Sequence, residues 1–165
     1  MGVERNLPLV RERRQAILAG DAERIAKQRA AGKLTARDRV KLLVDEASFV
    51  ELDALVSKDG QSGVITGYGL VDGRPIYLYA QDFTVKGGSV GADHARKVLK
   101  VMDLAEKTGV PVVALNDSAG ARLDEGMAAV EAYAKIMARS AELSGVVPQI
   151  AVVLCPCAVG AAMCA

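Results

Sequence analysis

The sequence predicts an α/β domain built around a largely parallel sheet, and three features carry that reading. Short apolar runs of strand length alternate with longer segments of helical periodicity. Asp72-Gly73 joins the first pair of strand-like runs as a tight hairpin, whereas helices separate the later runs, as parallel strands require. Hydrophobic residues make up 51% and charged residues 25% of the 165 residues, an ordinary globular composition. A chain of this length can hold a core of its own as one domain, or be part of a larger protein.

Residues 9–31 form the first predicted helix. It starts after Pro8 and carries Leu9, Val10, Ile17, Leu18 and Ile25 as an apolar stripe among basic residues. Gly20-Asp21 can divide it in two, and Ala31-Gly32 ends it. Thr35-Ala36-Arg37-Asp38 has the form of a capping box and starts a short helix whose Val40, Leu42 and Leu43 can face a partner. Phe49-Val50-Glu51-Leu52 reads as a short strand. Residues 58–63 are polar with two glycines and read as a mobile loop. Residues 64–71 and 75–80 are the hairpin arms, and the second alternates only weakly, as in a strand covered on both faces. Gly87-Gly88-Ser89 is a flexible loop before a helix over 91–108. The apolar positions of that helix are Ala95, Val98, Leu99, Val101, Met102 and Ala105, and Gly109 stops it. A buried strand over 111–115, a loop of small and polar residues over 116–121, a helix over 125–144 and a third apolar strand over 149–154 follow. A small-residue loop and a helix start close the sequence.

Lys and Arg number 21 and Asp and Glu 20, so the net charge is +1 and a strongly basic nucleic-acid binder is not expected. Aromatics are 4% with no Trp, which leaves little for base stacking. The charge is uneven: the basic residues concentrate before residue 42, so this segment can meet an acidic surface or an anionic ligand, or simply be a solvated helix face. Cys155, Cys157 and Cys164 crowd into an apolar run, odd in number and distant from the single histidine, His94. That fits a reducing compartment and argues against disulfides or zinc. No secretory signal is visible, and a cytoplasmic location is expected. The 23 residues 143–165 carry no charge, but Pro148 and Pro156 suit strand and loop ends better than a membrane-spanning helix.

Ligands of α/β sheets gather beyond the carboxyl ends of the strands. Two strand-to-helix loops of very small residues qualify: Ser118-Ala119-Gly120-Ala121, and the run from Cys155 to Ala161. Two N–H groups from such loops aimed at one point would form an oxyanion hole, for example for a thioester carbonyl becoming an enolate. Close helix–strand packing selects the same residues. A Ser-His-Asp triad would have to use His94, which has no nucleophile signature nearby, and no phosphate-binding glycine motif is present. Asp124 and Glu125 at a helix start read as capping or dipole-compensating carboxylates.

The sequence resembles the carboxyltransferase subunits of biotin-dependent acyl-CoA carboxylases, of the propionyl-CoA carboxylase β-subunit type, with the related decarboxylase α-subunits and transcarboxylases. The resemblance is carried by Gly32-Lys33-Leu34-Thr35-Ala36-Arg37-Asp38-Arg39, Ser48-Phe49-Val50-Glu51-Leu52-Asp53 and Val71-Asp72-Gly73-Arg74-Pro75. Most specifically, it is carried by Gln81-Asp82-Phe83-Thr84-Val85 and Asn116-Asp117-Ser118-Ala119-Gly120-Ala121-Arg122. It implies a crotonase-like fold of repeated β-β-α turns, with residues 1–47 as a basic helical arm. Residues 48–165 would be the acyl-CoA-binding part of an N-terminal carboxyltransferase domain, incomplete at its C-terminus.

The resemblance further implies that carboxybiotin on a carrier releases CO₂, that the biotin takes the acyl α-proton, and that the thioester enolate attacks CO₂. It makes Ala121 and Gly160 N–H the oxyanion-hole donors, with Val159 an alternate. Ser118, Ala119, Gly120 and Lys86 would lie along the CoA, Lys86 toward a phosphate. Expected partners are the biotin carboxyl carrier and biotin carboxylase components, a C-terminal carboxyltransferase domain and further copies of the chain. The run Cys155-Pro156-Cys157-Ala158-Val159-Gly160-Ala161 departs from the family's usual Gly-Pro-Cys-Ala-Gly-Gly-Ala, and Val159 adds bulk beside the thioester. Two other readings are a catalytically silent short chain that associates with full-length subunits, and a crotonase-type hydratase using Asp124 and Glu125.

Overall fold

The computed structural model describes residues 3–57 and 62–154. Helix α1 (Val3–Ala19) begins earlier than expected and contains Pro8. Pro8 is the sixth residue of this helix, so the turn around it lacks one backbone hydrogen bond. Gly20, at φ 63°, ends α1. The Asp21 carboxylate then caps α2 (Ala22–Ala30) by accepting from Glu23 and Arg24 N–H. The capping box predicted at Thr35 is formed with Asp38 and starts α3 (Ala36–Leu43). Val40 is buried, whereas Leu42 lies 74% exposed.

Five strands follow: β1 (Val50–Leu52), β2 (Val64–Val71), β3 (Arg74–Gln81), β4 (Val112–Asn116) and β5 (Gln149–Val153). They form one sheet in the order β1-β2-β3-β4-β5. The sheet is mixed, less parallel than the sequence suggests: β1, β2 and β3 are antiparallel, and β3, β4 and β5 are parallel. The hairpin turns at Asp72 and Gly73, φ 50° and 74°. The Asp45 carboxylate accepts both of their N–H groups.

Helices α4 (Ala92–Thr108) and α5 (Met127–Leu143) are the crossovers of the parallel strands. They pack on one face of the sheet, where Val98, Met102, Tyr133 and Ile136 meet Val64, Tyr79, Val112 and Ala114. The opposite face is covered by α3, where Ala36, Val40 and Val44 meet Ile65, Ile76, Leu78, Ala80, Val113 and Leu115. Alternate residues of β3 and β4 thus enter opposite cores, which explains their near-continuous apolar sequence. β5 is also mostly apolar, yet all five of its residues are exposed, because no described element packs over it. No helix among the described residues is long and apolar enough to cross a membrane.

Candidate active site

The loop after β4 leaves the carboxyl edge of the sheet and is pinned against residues 86–90. Within them, Lys86–Gly88 form a short 3-10 turn. Lys86, Gly87 and Gly88 all have positive φ, at 49°, 64° and 62°. This unusual backbone turns two carbonyls toward the β4 loop. Ala119 N–H donates to Gly87 O at 2.9 Å, and the Ser118 hydroxyl donates to Gly88 O at 2.8 Å. Gly88 has no alternative, because a Cβ there would stand 2.3 Å from Asp117 O. Gly120 N–H turns inward to Ser118 Oγ at 3.1 Å. Val90 N–H donates to Gly120 O and Arg122 N–H to Val90 O, both at 2.9 Å, making a parallel bridge between Val90 and Ala121 outside the main sheet.

In a parallel bridge the N–H and C=O of the central residue point away from the partner strand. The Ala121 N–H therefore faces outward from Val90. Among the described residues it has no acceptor, while Ala119, Gly120 and Arg122 N–H are all engaged. Ser118 and Gly120 are buried, Ala121 is half-buried and Ala119 is exposed, so no large side chain of this run covers that N–H. Lys86 lies at the rim, its Nζ 3.9 Å from Asp124 Oδ2. The structure thus brings Ser118, Ala119, Gly120, Ala121 and Lys86 to one edge. Val159, Gly160 and the three cysteines lie outside the described residues.

Two buried cations support this edge, and sequence reasoning singled out neither. Arg122 is 5% exposed, and its guanidinium donates to Ser62 O (3.0 Å), Ser89 O (2.9 Å) and Glu125 Oε1 (3.1 Å). Glu125 in turn accepts from Ala92 N–H at 2.7 Å. It therefore caps α4 and not the helix that follows it. Lys97 is 3% exposed and donates to Val64 O at 2.6 Å. Burial is the main cause that lowers its pKa to about 8.

His94 is fully buried beside both cations. Burial first, then the charges of Arg122 and Lys97, lower its pKa to about 3, so it is neutral. The main chain of Ser62 and Ser89 lies near enough to favour the charged ring slightly, yet neither ring nitrogen makes a hydrogen bond of ordinary geometry. On the other side of the loop, Arg39 of α3 pairs with the buried Asp117, whose N–H donates to Gln81 Oε1 at 3.0 Å. The sequence signals for these contacts are the cations of Gly32–Arg39 and Asn116–Arg122, the same runs that carried the resemblance.

The family model of the carboxyl transferase domain matches residues 27–165. The chain belongs to the carboxyl transferase domain family. It is 49% identical over 164 residues to the methylmalonyl-CoA decarboxylase subunit alpha of Propionigenium modestum, covering 93% of this chain and 32% of that protein. It is 48% identical to the propionyl-CoA carboxylase beta chain of Saccharopolyspora erythraea, covering 93% of this chain and 30% of that protein. Among solved structures, the 12S transcarboxylase hexamer with methylmalonyl-CoA and methylmalonic acid bound superposes with a TM-score of 0.89 at 40% identity, covering 98% of this chain and 34% of that one. The beta subunit of geranyl-CoA carboxylase from P. aeruginosa superposes with a TM-score of 0.80 at 30% identity, covering 90% of this chain and 30% of that one. The chain thus spans about a third of the length of the relatives it matches. The crotonase-like carboxyltransferase fold expected from the sequence is the fold observed.

Proposed function

We propose that this chain is the acyl-CoA-binding part of a biotin-dependent carboxyltransferase that moves a carboxyl group between biotin and a short acyl-CoA such as propionyl-CoA. The observation that carries the reading is the Ala121 N–H: among the described residues an unengaged donor, on a loop whose neighbouring amides are bonded, at the carboxyl end of the parallel strand β4. A thioester oxygen seated there gains negative charge as its α-proton leaves, and a prealigned amide favours that charge without reorganising. Gly160 N–H, or Val159 N–H, is the second donor in this proposal. Ser118 and Gly120 hold the loop's shape, Ala119 leaves room for the CoA chain, and Lys86 offers a cation to a CoA phosphate.

Biotin on a separate carrier supplies the carboxyl group. The small, open surface around Ala119 and Ala121 fits the approach of such a bulky partner to the thioester. The remaining assignments belong to the same proposal. Residues 1–47 serve as a basic arm and residues 48–165 as the acyl-CoA-binding domain. A second carboxyltransferase domain, a biotin carboxylase component and further copies of the chain are its partners, in the cytoplasm.

The test is Ala121→Pro in the complete carboxyltransferase, which deletes the N–H and also fixes the local φ. Turnover of propionyl-CoA is expected to fall about 10²–10³-fold, as on loss of one oxyanion donor, while Ala121→Gly keeps it. An Ala121→Pro enzyme that is folded and within about threefold of wild type would overturn the reading.

A further inference from the structure

Arg39 reaches from α3 to the first residue of the loop that carries Ala121. Its Nη1 donates to Asp117 Oδ2, and the two side chains are only 10% and 1% exposed. Among the described residues, this is the one side-chain bond from the N-terminal helices to residues 116–122. A buried ion pair seldom adds net stability, because desolvation offsets the attraction, and a well-packed apolar pair does as well. What it adds is direction. Ser118, Ala119 and Arg122 all tie the loop to residues 87–90. Asp117 is held differently, through its N–H by Gln81 of β3 and through its carboxylate by Arg39 of α3. The loop is therefore tied to α3 and β3 at its first residue and to residues 87–90 on both sides of Ala121. An oxyanion donor must sit within about 0.5 Å of its productive place, so slack at one end would reach the chemistry.

We propose that Arg39 is a positioning residue of the carboxyl-transfer reaction: by holding Asp117 from α3, it sets the place of the Ala121 N–H. This gives part of the basic N-terminal segment a role inside the site, and it rests on the reading of Ala121 given above. Arg39 itself does not touch the reacting atoms.

The test uses the complete carboxyltransferase, with kcat, KM for the acyl-CoA and the unfolding midpoint measured on each variant. Arg39→Lys keeps a cation within reach of Asp117 and is expected to keep kcat within about threefold. Arg39→Gln is expected to lower kcat about 10–100-fold, less than deletion of a donor, with KM changed less than about threefold. The paired change Arg39→Met/Asp117→Leu leaves no buried unpaired charge, so it is expected to fold even if Arg39→Gln does not. It severs the same link and is expected to lower kcat about 10-fold at unchanged KM.

Val40→Ala, one residue along α3, controls for stability alone: it opens a cavity, lowers the unfolding midpoint and leaves kcat unchanged. Full kcat in Arg39→Gln or in the paired variant overturns the proposal. So does a kcat loss that Val40→Ala reproduces at equal destabilisation. If Ala121→Pro is inactive while the paired variant is fully active, Arg39 has no positioning role and the reading of Ala121 stands. If Ala121→Pro is active, that reading falls first.

Discussion

Replacing Gly91 by alanine is expected to destabilise the start of α4 by about 2–3 kcal/mol, entirely through a side chain 34 positions away. Gly91 has φ −127° and ψ −172°, which alanine adopts without strain. The obstacle is space: a Cβ there would stand 2.2 Å from Glu125 Oε1 and 2.6 Å from its Cδ. The carboxylate must leave. It then loses the Ala92 N–H, at 2.7 Å, and Arg122 Nη1, at 3.1 Å. A hydrogen bond to a charged group contributes about 1.5–3 kcal/mol, and the partly exposed ion pair up to about 1 kcal/mol. The lower entropy of the unfolded chain on Gly→Ala returns about 0.4–1 kcal/mol.

The decisive measurement is a double-mutant cycle with Glu125→Ala, read by hydrogen exchange of the first α4 amides and by the denaturation midpoint. With Glu125 shortened, the three atoms nearest the new Cβ are gone, and Gly91→Ala is expected to be neutral or stabilising by about 0.5 kcal/mol. An equal cost of Gly91→Ala in both backgrounds would refute the steric argument.

Two further outcomes follow from the same buried surroundings. His94 has a pKa of about 3 when folded, against 6.5 for the ordinary ring, so the unfolded chain binds the extra proton and stability falls as pH drops from about 6.5 toward 3. His94→Leu, which removes two unpartnered nitrogens, is expected to match the wild type at pH 7 and to exceed it by about 3 kcal/mol at pH 4 in denaturant titrations. An unchanged acid sensitivity would show that another group controls it. Gly88→Ala combines a left-handed backbone with a clash against Asp117 O, so it is expected to cost more than about 2 kcal/mol and to lower kcat more than it raises KM. A fully active, equally stable Gly88→Ala enzyme would mean that the 86–88 turn does not shape the loop.

Most secondary structure is legible in the sequence itself. The Thr35 capping box, the Asp72-Gly73 hairpin and the Gly109 stop are local devices: each acts within a few residues, so composition and spacing reveal them. The loop Ser118–Ala121 was legible as a candidate site for the same reason. The misplaced details had non-local causes. α1 runs through Pro8, which local propensity disfavours, and β5 is exposed because burial depends on what packs over a strand, not on its apolarity.

What the sequence determined by itself was the order of elements, the family through its two specific runs, and the loop that would carry a free amide. What only the tertiary structure decided was the pairing of groups far apart in the chain: Arg39 with Asp117, Arg122 with Ser62 and Ser89, Glu125 with Ala92, and His94 between two cations. Local propensity acts over one turn of chain, whereas the hydrogen-bonded pairs among these span from 33 to 78 residues and arise only when the crossovers stack both helices on one sheet face and bring α3 onto the other. The physical reason is burial. A polar group removed from water must find its partner wherever the fold places one, and sequence separation does not enter that requirement.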